Sequence, residues 1–573
     1  MTREVRGGKD AIGGIGLPLN RKQLLVVFWA GTALFYFRQI FVPKTESFDL
    51  WIYGMILSAV CLAPLWMWVT GRMHGLPLWP LFSLSFIPSY CIPLINDAAN
   101  IRVYTQNEKL TAALTLTGFL ALGTLIVHQL TNRPARISPF VRGFDLEQSK
   151  PRLLLFVFCG VFFLLIADTL YSLGGGVVSA VRGVLSSLAN LGIFGLAFLW
   201  GQKKLEPKYR NTFIVLMVLY VLKQSSSLIL ASTLGTMGLA LASFVLGRQK
   251  VPWLFLCFFL AILSLLHAGK YQMREELWGE GGAGSNRVSW VEMPAFYLKW
   301  MENGLFSLGK GETKSGEKVA DAAERGVMVH LLLMVQQKTP AEVPFLNGET
   351  YRYLPELLVP RILTKDKAPA HVANMILSLH YGLLDQMGIW KTSIGFDPIV
   401  EGYANFGFTG VVGTAVAMGS LIGFITQLGN GVPLLSYRFL LAVLVLSGLI
   451  GSTNTVGVML TVIWQSFLAL TAVSVVLMKK IPNPLFVSSV PNHELGRLDF
   501  VGCEKQEAGR KVEDGRWEIA DRETEDRELR TEDSGPPSSI SQTPSAAQPE
   551  AAPVRHERPT RFVYGENKAK QKS

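Results

Sequence analysis

Apolar runs recur along the whole chain, divided by short polar stretches. A hydrocarbon core of about 30 Å needs about 20 apolar residues in a helix. On that measure the runs predict helical spans near 23–43, 50–70, 77–95, 110–131, 153–173, 178–200, 209–225, 227–247, 252–268, 405–428, 436–452 and 455–478. The runs at 209–225 and 227–247 are divided only by the polar stretch that begins at Lys223, and the run at 436–452 is short enough to be tilted or partly re-entrant. The pattern is that of an all-α polytopic membrane protein with about twelve transmembrane helices.

The polar stretches differ in charge, and charge sets orientation. Loop 132–152 carries Arg133, Arg136, Arg142, Lys150 and Arg152, and loop 201–210 carries Lys203, Lys204, Lys208 and Arg210. Both are expected on the cytoplasmic side. Loops 44–49 and 96–109 mix acids with bases and belong on the other side. An even span count then puts both termini inside, in keeping with Lys479 and Lys480 after the last span. The resulting organisation is a cytoplasmic N-terminus (1–22), a first bundle of about nine helices (23–268), one large extracytoplasmic loop (269–404), about three last helices (405–478) and a cytoplasmic tail (479–573).

Within the large loop, the Gly-rich stretch from Gly279 to Gly284 is expected to be flexible. Residues 317–338 are expected to be helical, with Val327, Leu331, Met334 and Val335 on one face and Pro340 ending the helix. From about residue 490 the tail is rich in Ser, Pro and mixed charge. It cannot bury enough apolar area to order itself and is expected to be disordered.

Composition agrees with the span pattern. The 573 residues are 49% hydrophobic and only 17% charged, below the quarter or so of a soluble domain. The net charge of +11 is read as Lys and Arg holding cytoplasmic loops, not as a nucleic-acid surface. The five cysteines (Cys61, Cys91, Cys159, Cys257 and Cys503) lack disulfide or zinc spacing. The polar, basic start followed by a full-length apolar run predicts no cleavable signal peptide. No phosphate-binding loop motif occurs, and no cofactor or metal pair is expected.

Ionisable groups in or near spans mark paths, pairs or sites. Arg38 reads as a snorkelling side chain at a span end. Asp168 and Arg182 are placed to pair across adjacent helices. Lys223, followed by three serines, reads equally as a phosphate contact or as an interfacial lysine.

The large loop concentrates further chemistry. Its stretch from Asn347 to Pro369 contains turn residues, Pro360 before Arg361, and then Lys365 and Lys367. Arg offers a planar fork of donors for phosphate oxygens, and Lys adds point charge. Arg325 on the preceding segment is placed to join them. The neighbouring acids Glu324, Glu349, Glu356 and Asp366 offer salt bridging as the plainer reading. Glu401, Tyr403 and Asn405 precede the apolar run at 405–428, with Gly407 and Gly410 allowing close helix approach. Glu401 is a candidate general base or an interfacial cap. His371 and His380 are rival bases.

These residues carry a resemblance. Gly348, Thr350 and Tyr351, then Pro360, Arg361 and Lys367, then Glu401, Tyr403, Asn405, Phe406, Gly407 and Gly410 resemble the motifs of the Wzy-type O-antigen or oligosaccharide repeat unit polymerases. The likeness is dense over residues 325–415. It departs at Ala368, which separates Lys367 from Pro369, and at Thr364, where the family commonly has tryptophan.

The resemblance implies a GT-C-like membrane glycosyltransferase in a bacterial inner membrane. It would join oligosaccharide units carried on polyprenyl diphosphate at the outer face, inverting and without metal, to build O-antigen, capsule or exopolysaccharide. On that implication Arg361 and Arg325 hold the diphosphate, Lys367 and Lys223 assist, Glu401 is the base, and Thr350, Tyr351, Tyr403 and Asn405 line the sugar or acceptor site. The partners would be the lipid-linked oligosaccharide, the bilayer and a chain-length regulator, with no nucleic acid. The alternatives are an O-antigen ligase, which passes the chain to another acceptor, and a flippase or transporter without chemistry.

Overall fold

The apolar runs fold as helices. The computed structural model describes residues 21–41, 47–133, 138–145, 148–228, 230–278, 288, 290–309, 328–359, 364, 367–391, 393–449 and 454–483. In chain order the elements are α1 (Arg21–Phe41), α2 (Phe48–Val69), α3 (Leu78–Ile95), α4 (Gln106–Thr131), β1 (Phe140–Gly143), α5 (Lys150–Gly201), α6 (Pro207–Ser225), α7 (Leu230–Arg248) and α8 (Trp253–Trp278). Then come α9 (Met293–Gly309), α10 (Met328–Lys338), α11 (Leu354–Leu358), α12 (Val372–His380), α13 (Gly388–Lys391), α14 (Pro398–Leu428), α15 (Tyr437–Leu449), α16 (Val456–Leu477) and β2 (Lys479–Pro482).

Local chemistry sets several of the boundaries. Thr105 and Glu108 form a reciprocal capping box at the start of α4. Ser47 caps α2, and Asp397 caps α14 with Pro398 at its first position.

Among the described residues, eight helical stretches are long and apolar enough to cross a membrane: α1 to α4, Val181–Gly201 of α5, Trp253–Lys270 of α8, α14 and α16. The chain is thus an all-α polytopic membrane protein, with one two-stranded sheet among the described residues. The count of eight is made among the described residues only. Of the other predicted runs, helix α6 carries Lys208, Arg210 and Lys223, and α15 has 13 residues. They are helices nonetheless, so the runs were read correctly as elements.

Helix α5 needs its own account. Its 52 residues would span about 78 Å if straight. Yet Lys150 pairs with Glu206 at 3.0 Å, Gly192 lies against the Leu153 carbonyl, and Gly160 lies against Ala189. The segment therefore doubles back between Gly160 and Ala189 as two antiparallel arms, which correspond to the predicted runs 153–173 and 178–200. The side chain of Asp168, expected to pair with Arg182, lies outside the described residues.

The reversal brings the two basic loops to one end of the bundle. There β1 pairs antiparallel with β2, setting Arg142 opposite Lys480. Lys479 donates to Gln148, and Asn483 donates to the carbonyls of Ser138 and Gly431. The sequence expectation that loops 132–152 and 201–210 and the segment after the last span share a face is met in this geometry. The tail from 484 onward and the Gly279–Gly284 stretch lie outside the described residues.

The segment expected to be one large loop is mostly helical where described. Helix α8 runs on to Trp278, and α9 crosses it at Gly269 and Gly304. These helices share a small core with Met273, Met293, Phe296 and Trp300. Helix α10 confirms the predicted helix from 328 to 338, and 317–327 lie outside the described residues. Rather than standing free, α10 buries Val329, Leu332, Leu333 and Val335 against the bundle, and its Gln336 donates to Thr115 of α4.

Candidate active site

Helix α14 starts seven residues before the predicted run at 405, so Glu401, Tyr403 and Asn405 lie within it. It then breaks. Phe406 has φ −142° and Gly407 has φ +61° with ψ −144°, outside the helical region. A side chain at Gly407 would be strained by its backbone angles and would press on the Phe345 ring. The break separates a short arm carrying the polar residues from the long apolar arm. Gly410 folds back against the Gly402 carbonyl. Gly407 and Gly410 thus serve a kink within one helix, not the close helix–helix approach expected of them. That approach falls to Gly419 and Gly423, which lie against Gly123 and Leu130 of α4.

Asn405 organises the polar arm. Its amide nitrogen donates to the Thr350 hydroxyl at 2.8 Å and to the Glu401 carbonyl at 2.8 Å. Its amide oxygen accepts the Gly348 N–H at 3.0 Å. Backbone bonds from Leu346 to Ala404 and from Asn347 to Asn405 complete the junction. Gly348 has φ +87°, the conformation that the Asn347-Gly348 turn signature anticipated. Tyr351 stacks on Phe406, with ring centroids 6.3 Å apart. Tyr403 packs between Phe345 and Phe408.

Glu401 is 0% exposed. Its Oε2 accepts the Val456 N–H at 2.7 Å, at the first turn of α16. The Thr350 hydroxyl also stands beside this carboxylate, while Oε1 has no hydrogen-bond partner. Burial pushes the Tyr351 phenol well above its ordinary range, and the Glu401 charge adds to that push. Four residues before Glu401, Asp397 is equally buried. Its Oδ1 accepts from the N–H groups of Ile399 and Val400, and its Oδ2 has no partner. Burial pushes the Asp397 carboxyl up to about 7 against these two N–H bonds, and Glu401 adds to the rise. The sequence reading gave Asp397 no role. An Asp directly before a Pro that opens a helix was the available signal.

A groove of about 430 Å³ begins at this junction and runs between α14 and α16. Tyr351, Phe406 and Val456 line the end nearest Glu401, and Gly413, Met418 and Ile463 line its apolar length.

Of the four expected cations, Lys367 and Lys223 fall on described residues. Lys367 is buried, and its ammonium donates to the carbonyls of Leu357 and Val359. Trp464 of α16 donates to the Leu358 carbonyl between them. Lys367 therefore caps the C-terminal end of α11. Lys223 donates to the Val288 carbonyl and lies over the Trp290 ring. It sits with the core shared by α8 and α9, apart from the core that holds Tyr403. Neither lysine is drawn into the Glu401 junction by these contacts. Pro360, Arg361, Lys365 and Asp366, and Arg325 with Glu324, lie outside the described residues.

Of the rival bases, His371 is exposed at the start of α12. His380 is in contact with the Pro344 carbonyl at 2.9 Å, and burial lowers its pKa below the usual histidine value.

Fold and site together define a polytopic α-helical membrane protein with a buried carboxylate junction at the head of an apolar groove. No family model matches the chain, and no curated protein or solved structure matches it.

Proposed function

We propose that this chain is a membrane glycosyltransferase of the oligosaccharide repeat unit polymerase type, acting on polyprenyl-diphosphate-linked units. The observation that carries the reading is the Asn405 junction. The segments on which the family resemblance rests, one at Gly348–Tyr351 and one at Glu401–Gly407, are tied together by a single amide. They meet beside an apolar groove between two spans, suited to a hydrocarbon chain.

In this reading Glu401 accepts the proton of the acceptor sugar hydroxyl. The acceptor oxygen forms its bond to the anomeric carbon of the growing chain as the bond from that carbon to the diphosphate breaks, with inversion. The electron pair leaves with the lipid diphosphate. Arg361 and Arg325 neutralise the departing charge, where fixed cations in a partly dry site are worth most. Lys367 acts one step back. By holding the carbonyls at the end of α11, it fixes the chain up to Val359. The Lys- and Arg-rich end of the bundle faces the cytoplasm, and the Glu401 junction faces the outer leaflet of a bacterial inner membrane.

The test is polymerisation in vitro. Purified protein in lipid nanodiscs is given lipid-linked repeat units alone. A ladder of products is expected from the parent, with losses of about a hundredfold or more for Glu401→Gln, in the range of a missing general base. Transfer only when a different acceptor is supplied would make the protein a ligase. Full activity in Glu401→Gln would remove the base from this scheme.

A further inference from the structure

Two carboxyl groups, Asp397 and Glu401, lie four residues apart at the start of α14, and both are fully buried. Each spends one oxygen on backbone N–H groups and leaves the other without a hydrogen-bond partner. Neither forms an ion pair with a Lys or Arg among the described residues. Two like charges one helical turn apart, both buried and with no counter-ion among the described residues, are unfavourable, and such a pair keeps a proton.

Among the described residues, the surrounding ionisable groups do not supply that counter-ion. Tyr351 is neutral and senses Glu401. On α4, Lys109 is committed to Asp97, and Glu108 to Thr105 and Gln337. On α10, His330 meets Tyr104, and in the last turn of α12 His380 meets Pro344. Arg438 of α15 follows Ser436, which bridges to Gly143 at the other end of the bundle.

We infer that Asp397 and Glu401 work as a couple that holds one proton between them, Asp397 being the positioning residue through which the charge on Glu401 is set. This rests on the reading of Glu401 as the base. In the resting site the couple carries one proton and one negative charge. The proton belongs to the pair, not to either residue. When the acceptor oxygen bonds to the anomeric carbon, its hydroxyl proton joins the couple, which becomes neutral as the diphosphate leaves with its electron pair. Loss of one proton to water restores the resting state. The rise of the Asp397 carboxyl toward 7, caused first by burial, agrees with this arrangement.

Asp397→Asn isolates the proton from the cap. Asn still caps a helix, so the Ile399 and Val400 N–H groups keep an acceptor, while one titrating group is removed. Polymer formation is measured against pH for the parent and the variant. The parent profile is expected to bend twice, the second time as pH rises through about 7. The variant is expected to show a single bend. Asp397→Ala, which loses cap and carboxyl together, is expected to be inactive, and Asp397→Glu to restore the second bend in part.

A second readout does not depend on activity. In infrared spectra of the parent near pH 6, the C=O stretch of a protonated carboxylic acid that shifts in D₂O is expected, and it is expected to weaken in Asp397→Asn. Identical pH profiles in the two proteins, or an unchanged infrared band, would overturn the couple. Full polymerisation by Glu401→Gln alongside a parent band that is weakened in Asp397→Asn would instead overturn the base and leave the couple standing.

Discussion

Asn405 donates to the Thr350 hydroxyl at 2.8 Å across 55 residues of sequence. The same side chain accepts the Gly348 N–H and donates to the Glu401 carbonyl, so its donors and its acceptor are all engaged. A residue with every bond made inside a buried site rigidifies its neighbours, and losing it strands their polar groups.

Asn405→Ala should therefore cost about 1–3 kcal/mol, the penalty for leaving buried polar groups unsatisfied. Thr350→Val should cost less, about 1 kcal/mol, because the Gly348 and Glu401 bonds remain. The double variant should cost less than the sum of the two, since both remove one shared bond. Thermal unfolding in detergent measures all three. Strict additivity would mean that the bond does not couple the two segments.

The sequence reading of this junction succeeded where local chemistry speaks for itself and failed where tertiary contacts decide. Asn347-Gly348 announces a turn by residue type, and the turn is there. Glu401 and Asn405 stand i, i+4 and do share a helix. But the reach of Asn405 to Thr350 joins segments that nothing in their own sequence places together, apart from the family resemblance. Lys367 shows the opposite limit. Its charge and its neighbouring prolines read as an anion clamp, yet the decisive fact is the set of carbonyls at the end of α11, which only the folded chain brings within reach. The antiparallel arms of α5 were visible as two apolar runs. The helical content of 269–309 was less visible, because Gly-rich and charged residues interrupt the apolar pattern around α9.

Lys367→Met keeps the apolar stem and removes the two charged hydrogen bonds to Leu357 and Val359. A loss of about 1.5–3 kcal/mol in stability is expected, the range for hydrogen bonds to a charged group. Arg361→Ala is expected to leave the unfolding midpoint near the parent's while lowering polymer output at least tenfold. If Lys367→Met unfolded at the parent's midpoint and lost only affinity for the lipid donor, Lys367 would be a substrate contact and not a cap.

Gly413 tests the groove. No atom lies within 4 Å of where its Cβ would be, and the residue lines the cavity between α14 and α16. Gly413→Leu should be neutral or slightly stabilising, since Leu favours helix over Gly by about 0.5–1 kcal/mol. It should raise the KM for lipid-linked units about tenfold by occupying part of the groove, while a water-soluble acceptor analogue is affected less. An unchanged KM would place the hydrocarbon chain elsewhere.

Asp397 makes stability depend on pH in a direction opposite to that of most carboxylates. Its folded-state pKa lies near 7, raised from the model-peptide value of 3.8 first by burial. A group raised in the folded state contributes stability that is fully present below its unfolded pKa and is lost as pH rises through the folded one. The parent should therefore lose stability between about pH 4 and pH 7, on the order of 1–3 kcal/mol after allowance for the neighbouring Glu401. Asn at 397 keeps the cap but cannot titrate. Relative to the parent, Asp397→Asn should be at its least favourable at pH 5 and gain on it steadily toward pH 8. Unfolding midpoints of the two proteins at pH 5, 6, 7 and 8 decide the matter. A constant offset across that range would show that Asp397 takes up no proton on folding.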